Sequence, residues 1–321
     1  MVSYLINYNS KILICGAGSV GLRHAKNLIS LGYKDIFFFT KRKNILINNK
    51  KFKTFSNLKK LLKEHNFKLA FITNETHKHV DTAIKCALNG IHLFIEKPLS
   101  NKKNKINMLL KILKQKKLIS MVGYMMRFHP AIKIIKRLIK KKKFGKIFHF
   151  YSEWGEYLPS WHPKENYKKS YASNISKGGG STLTLSHDID LMQYFFGKIK
   201  KNFLSKTQSG LEINSETGTN IMIEFKNGIS GFIHLDYLQK LNERYLKITG
   251  TKLSIKFYYL KNLLIIIKNK KEKRIKFKNF KRNQLFLTEI KYFIQKCKKS
   301  SPTMLSVSEA FKNLDDLKLI R

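Results

Sequence analysis

The sequence predicts an α/β protein in two parts, on three observations. Over the first 124 residues, apolar strand-like runs alternate with segments of helical spacing, the pattern of a parallel sheet covered by helices. At its head stands KILICGAGSVGLRHAKNL, residues 11–28, where a G-x-G-x-x-G turn follows an apolar run and leads into a helix. After Gly123, strand-like runs succeed one another with few helices between them, the texture of an antiparallel sheet.

The opening stretch accounts for the first part. Ile12 to Cys15 is the kind of run that makes a strand buried on both faces. Gly16 permits a tight turn, Gly18 lets backbone approach a pyrophosphate, and Gly21 lets helix pack close to strand. Ser19 and Val20 begin the helix, whose free N–H groups and dipole favour phosphate. Strand, glycine turn and helix in this order form the dinucleotide-binding fingerprint of a Rossmann domain. DIFFFT, residues 35–40, reads as the second strand. In this fold a carboxylate near its end binds the ribose hydroxyl of NAD. Here Thr40, Lys41 and Arg42 stand instead, with two cations for a 2′-phosphate. NADP is the expected cofactor, with NAD the alternative.

Phe55 to His65 has helical spacing, and KLAFIT, residues 68–73, is a further buried strand. It ends in Thr73, Asn74, Glu75, Thr76 and His77, polar groups where open α/β sheets bind ligands. Thr73, Asn74 and His77 are therefore candidate cofactor contacts. A helix to Gly90, a strand Ile91 to Ile95 ending in Glu96-Lys97-Pro98, a helix from about Lys102 to Lys116 and a strand Ile119 to Gly123 complete the alternation. Ile132 to Ile139 reads as a helix. Strands are expected at 147–154, 219–225, 229–237, 245–249, 253–259, 263–268 and 274–277, and a last helix at 309–317. The expected domains are 1–124, the Rossmann domain, and 125–321, an α+β domain with a mainly antiparallel open sheet.

Composition bounds the partners. The net charge is +44, yet of 64 basic residues only eight are Arg and 56 are Lys, scattered and accompanied by abundant Asn, Ile and Phe. That is the residue set of AT-rich codons, and base-specific contacts favour Arg. No specific nucleic-acid partner is expected; weak, salt-sensitive adhesion to polyanions is. No apolar run reaches the roughly 18 residues of a membrane helix. The N-terminal MVSYLINYNSKILICG lacks the layout of an export signal. Cys15, Cys86 and Cys297 fit no metal spacing and point to a reducing compartment, so a cytoplasmic protein without a metal is expected.

The chain resembles the Gfo/Idh/MocA family of oxidoreductases over nearly its whole length. The elements that carry the resemblance are GAGSVGLRHAKNL, TNETHKHVDTAIKCALNGIHLFIEKPLS, GYMMRFHP and GGGSTLTLSHDIDLMQYFFG. YLPSWHP and the LSHDIDL variant are similar to a subgroup associated with bacterial surface-glycan biosynthesis. The resemblance implies hydride transfer between nicotinamide and a hydroxyl or keto carbon of a sugar, sugar derivative or nucleotide sugar. It also implies a homo-oligomer, dimer or tetramer, paired through the open sheet face.

By the same resemblance Glu96 and Lys97 lie at the cofactor and Lys97 is the catalytic-site lysine, able to stabilise a developing oxyanion. Pro98 is expected after a cis bond. His187 is the family's proton acceptor or donor, although a lone histidine on a helix is commonly structural. Asp190, at i+3, shares its face, and Asp188 or Asp190 is expected to support it. Tyr124 and Arg127 fall near nicotinamide and substrate; Arg127 either binds an anionic substrate group or pairs with an acid between the domains. Trp161, with Tyr157 and His162, either stacks on a sugar or packs a surface loop. Many relatives carry a carboxylate three or four residues before the histidine, where Leu183 and Thr184 stand here. That departure motivates a second expectation, a cofactor-binding sensor with little turnover.

Overall fold

β1 (Ile12–Cys15) is buried along its whole length, as an unbroken apolar run requires when helices cover both faces of a parallel sheet. The computed structural model describes residues 6–320, so the first five residues of the stretch read for an export signal lie outside the described residues. α1 (Ser19–Ser30), β2 (Ile36–Phe39), a hairpin of β3 (Ile45–Ile47) and β4 (Lys50–Phe52), and β5 (Thr54–Phe55) follow. Then come α2 (Leu58–Glu64), β6 (Leu69–Ile72), α3 (His79–Leu88), β7 (His92–Glu96), α4 (Ile106–Gln115) and β8 (Ser120–Gly123). Six strands pair in parallel in the order β5-β2-β1-β6-β7-β8. This is the doubly wound order, and the chain reverses direction across the sheet between β1 and β6.

The second unit holds α5 (Pro130–Lys140), β9 (Ile147–Tyr157), α6 (Ser181–Thr184), α7 (His187–Phe196), β10 (Ile199–Thr207), β11 (Gly218–Phe225), β12 (Ser230–Asp236) and β13 (Leu238–Gly250). β14 (Ser254–Tyr258), β15 (Leu263–Lys268) and β16 (Lys271–Lys276) complete its eight-stranded sheet, ordered β10-β11-β12-β9-β13-β14-β15-β16. All neighbours are antiparallel except β12 and β9. Inward residues such as Phe150, Ile221, Ile233 and Ile248 form the core beneath the sheet. Phe203 and Met222, cross-strand partners on the other face, are 67% and 60% exposed.

α8 (Asn283–Lys298) and α9 (Val307–Asp316) end the chain. Here the structure corrects the expected division at 124/125. Residues up to Gly123 form one unit with Phe286–Leu314, and Tyr124–Leu285 form the other with Asp315–Leu319. The cause is packing. Phe293 of α8 meets the rings of Phe71 and Phe94 at 5.9 and 5.6 Å. The Leu305 carbonyl accepts from the Val122 N–H at 3.0 Å, and the Thr303 hydroxyl donates to the Ser120 carbonyl at 2.7 Å. α8, β10 and the β3–β4 hairpin were not expected from the sequence. Among the described residues no helix is long and apolar enough to cross a membrane.

Candidate active site

The glycine turn is built as its spacing demands. Gly16 has φ +114°, and a Cβ there would lie 2.7 Å from the Asn74 nitrogen. A Cβ on Gly21 would stand 2.2 Å from the Gly16 carbonyl oxygen, so only glycine lets α1 start this close to β1. Around Gly18 the reverse holds: a Cβ would meet nothing within 4 Å. Gly18 caps α1, which starts at Ser19, without a side-chain hydrogen bond. An open glycine before a helix N-terminus fits the pyrophosphate of a dinucleotide.

Thr73, at the end of β6, braces this turn. Its hydroxyl lies 3.2 Å from the Cys15 carbonyl and 3.1 Å from that of Gly16. At the end of β2 the Thr40 hydroxyl accepts from the Arg42 N–H at 3.2 Å, and Lys41 and Arg42 are exposed. The Asn74 amide donates to the Thr82 hydroxyl at 2.9 Å. His77 lies exposed on the single turn Thr76–Lys78. The histidine that joins the loops is His79, 1% exposed, which sequence reasoning missed. Its Nδ1 lies 2.9 Å from the Pro98 carbonyl and its Nε2 2.9 Å from that of Asn74. Carbonyls only accept, so satisfying both contacts requires a proton on each nitrogen. Burial pulls its pKa down, while these bonds and the Glu96 charge oppose that pull.

Glu96 ends β7. Its Oε2 accepts from the Lys97 backbone N–H at 3.3 Å, and the Lys97–Pro98 peptide is cis. Lys97 is thus anchored on its N-terminal side by its own N–H at Glu96 and, one residue further on, by the Pro98 carbonyl at His79.

In the second unit α7 presents His187, 3% exposed, between two rings. Tyr124 meets it edge-on at 5.5 Å, and Trp154 stacks on it at 5.8 Å and 29°. The Tyr124 hydroxyl donates to Ser186 at 3.2 Å. The Arg244 guanidinium lies 3.8 Å over the Trp154 ring and bonds Asp188 at 2.6 Å, while Ser152 donates to Asp188 at 2.8 Å. Asp190 was expected to support His187; instead Arg127 bonds both its oxygens, at 2.8 and 2.7 Å. Arg127 therefore pairs with an acid, but not with one between the domains as expected: it and Asp190 both belong to the second unit. Burial raises the Asp190 pKa, and the Arg127 charge only partly offsets it. Thr184 faces the fully buried Tyr237 hydroxyl, and half-buried Trp161 packs edge-on against the Tyr237 ring at 5.5 Å. Trp154 and Arg244 lie on inward positions of β9 and β13, and alternation along those strands is the signal by which they could have been found.

Comparison with known proteins agrees with this architecture. Residues 10–124 match the model for the oxidoreductase family with an NAD-binding Rossmann fold, and residues 132–256 match the GFO/IDH/MocA C-terminal domain. A levoglucosan dehydrogenase of Pseudarthrobacter phenanthrenivorans is 26% identical over 233 residues, 64% of this chain and 58% of that protein. The 2,7-anhydro-N-acetylneuraminate hydratase of Escherichia coli is 25% identical over 190 residues, 58% of this chain and 50% of that one. The chain thus spans little more than half the length of these curated relatives. The fold is shared with a levoglucosan dehydrogenase solved with NADH and levoglucosan, at TM-score 0.84 and 18% identity over 97% of this chain and 96% of that one. It is also shared with a myo-inositol 2-dehydrogenase from Lactobacillus plantarum, at TM-score 0.79 and 19% identity over 95% and 94%. With an open glycine turn at the sheet reversal and both family segments matched in order, the chain belongs to the Gfo/Idh/MocA family of oxidoreductases.

Proposed function

We propose that the protein is an NAD(P)-dependent oxidoreductase acting on a CH–OH group of a sugar, sugar derivative or nucleotide sugar, in the cytoplasm. The observation that carries this reading is Lys97, its N–H held by Glu96 and the next residue's carbonyl by His79, at the strand-end edge of the sheet that bears the open glycine turn. The nicotinamide, when bound, exchanges hydride with the substrate carbon. Gly16 to Gly21 hold the pyrophosphate, and Lys41 and Arg42 favour the 2′-phosphate of NADP. Thr73, Asn74, His77 and Glu96 line the cofactor side of the sheet. Lys97 donates a hydrogen bond to the reacting oxygen and stabilises its negative charge, and His187 moves the proton. Tyr124 and Trp154 hold the His187 ring, and Trp161 offers an apolar face to the sugar. Arg127 keeps α7 in place through Asp190.

The substrate belongs to surface-glycan building, a reading supported by the YLPSWHP and LSHDIDL segments. The copies pair through the exposed sheet face, where Phe203 and Met222 leave an apolar row in water. A screen of sugars, polyols and nucleotide sugars for change in nicotinamide absorbance tests the activity. A substrate that turns over with NADP(H) is the expected result.

Thr184 favours a second reading, a cofactor-binding sensor, because no carboxylate stands before His187 there. Exchange of label between cofactor and added sugar separates the two: stereospecific exchange supports the oxidoreductase, and cofactor binding without exchange supports the sensor.

A further inference from the structure

Next to Lys97 lies a buried cluster of which the proposed chemistry uses only Glu96. α1 contributes His24, β7 contributes Glu96 and α8 contributes Glu289, with one donor atom of each within 4.8 Å of the others. His24 Nε2 and Glu96 Oε1 are 2.6 Å apart. His24 and Glu289 are both 0% exposed, and neither Glu289 oxygen has a hydrogen-bond partner among the described residues. The surrounding wall is aromatic: Phe71, Phe94 and Phe286 pack on the His24 ring at 5.1–5.9 Å.

Two ionised carboxylates in such a place would leave a net negative charge without water, a state that proteins avoid by binding a proton or a cation. The contact between His24 and Glu96 is short enough for a charge-assisted bond from imidazolium to carboxylate. Burial and the Glu96 charge then push the Glu289 carboxyl well above the usual carboxylate range, towards the neutral acid. The other charged or titratable groups nearby are His79 and Lys97 beside Glu96, and Arg23, which lies 4.7 Å over the outer Phe286 ring. Gly123 closes the remaining side, where a Cβ would come within 2.8 Å of Phe94 and 3.4 Å of Glu96.

We infer that His24 and a protonated Glu289 are positioning residues for Lys97. His24 fixes the Glu96 carboxylate directly, at 2.6 Å, and Glu289, which makes no hydrogen bond to it, preserves that contact by staying uncharged, since a second buried carboxylate would compete for the imidazole; the other Glu96 oxygen holds the Lys97 peptide N–H. The inference rests on the role proposed for Lys97 above. A one-atom shift of Glu96 turns Oε2 away from that N–H and lets the lysine leave the reacting oxygen.

Variants at His24 and Glu289 test it, with turnover, substrate KM, cofactor Kd, melting temperature and metal content measured for each. Glu289→Gln keeps the volume and a neutral polar head, so kcat should stay within about twofold of wild type. His24→Leu removes the 2.6 Å contact to Glu96, and kcat should fall on the order of tenfold or more while cofactor Kd holds. In a Lys97→Ala background, His24→Leu should cost nothing further, an outcome that a merely structural role does not produce. If Lys97→Ala alone keeps full turnover, the role proposed for Lys97 fails. If Lys97→Ala loses turnover and His24→Leu keeps it, the present inference fails. A loss in Glu289→Gln equal to that in His24→Leu overturns the neutral acid. So does one equivalent of divalent metal that survives dialysis of the wild type and is lost in Glu289→Gln.

Discussion

Arg127 closes on Asp190 through two hydrogen bonds, and the side chains are 6% and 3% exposed. Removing either partner strands the other charge, a loss of about 3–5 kcal/mol for a buried pair. Arg127→Ala and Asp190→Ala should therefore each lower the urea midpoint strongly. Arg127→Met with Asp190→Leu should recover most of the loss, because the pair then leaves no charge behind. A double variant as unstable as the sum of the singles would show that the charges themselves are needed.

The glycine turn separates two kinds of damage. Gly18→Val should weaken NAD(P)H binding on the order of tenfold or more with little change in melting temperature, since its side chain enters only open space. Gly21→Ala should lower both, because its Cβ has nowhere to go between Gly16 and Thr73. Calorimetric titration beside thermal melts distinguishes them, and full affinity in Gly18→Val would remove the turn as the phosphate site.

Arg42→Ala should narrow the preference for NADPH over NADH, chiefly by weakening NADPH. The exposed Arg42 follows the Thr40 turn, and the segment Thr40-Lys41-Arg42 itself carries no carboxylate to repel a 2′-phosphate. Titration of the wild type showing tighter NADH binding would reverse the cofactor assignment.

Acid should destabilise the protein through two histidines. His92 and His129 are buried, and burial, with the nearby Lys68 and Arg244 charges, pushes both pKa values down to about 4. Each Nδ1 is an acceptor, from the Ile119 N–H and the Ala131 N–H respectively. In the unfolded chain both titrate near pH 6.5, so the stability from keeping them neutral is complete above that pH. It is lost as pH falls towards 4, up to roughly 3 kcal/mol for each. Urea midpoints at pH 7 and pH 4.5 measure the drop. His129→Asn, which keeps an acceptor for Ala131 but takes up no proton, should reduce it.

Lys97→Ala and His187→Ala should each lower turnover by a factor on the order of 10² or more, with cofactor binding near normal. If both serve one proton transfer, the double variant should lose less than the product of the two. Single-turnover hydride transfer with thermal melts of every variant measures this. Unchanged turnover in His187→Ala would take it out of the mechanism.

Much of the fold was legible because single features forced it. An unbroken apolar run before G-x-G-x-x-G admits few alternatives to β1 and α1, and Asn227-Gly228 marks the turn between β11 and β12. β10 was illegible because IKKNFLSKT lies at the sheet edge with only Ile199 buried, so no apolar face stands out. α8 has apolar residues at 285, 286, 290, 293, 294 and 297, but Glu289 interrupts that stripe, and a buried acid reads as exposure. Among site residues, His77 and His79 differ by two positions and by the turn between them, which exposes one and buries the other. The pairing of Asp190 with Arg127 rather than His187 depends on a distant segment that spacing along α7 does not reveal.

The return of Phe286–Leu314 to the first unit has a consequence for the order in which the chain matures. When the glycine turn leaves the ribosome, its unit still lacks Phe293, Glu289 and the Leu305 carbonyl, which are made more than 250 residues later. The segment 124–285, most of the second unit, is made before those residues exist. The first unit therefore cannot close its core until Phe286–Leu314 is made, and nascent chains stalled before α8 leave Phe71 and Phe94 without the Phe293 ring.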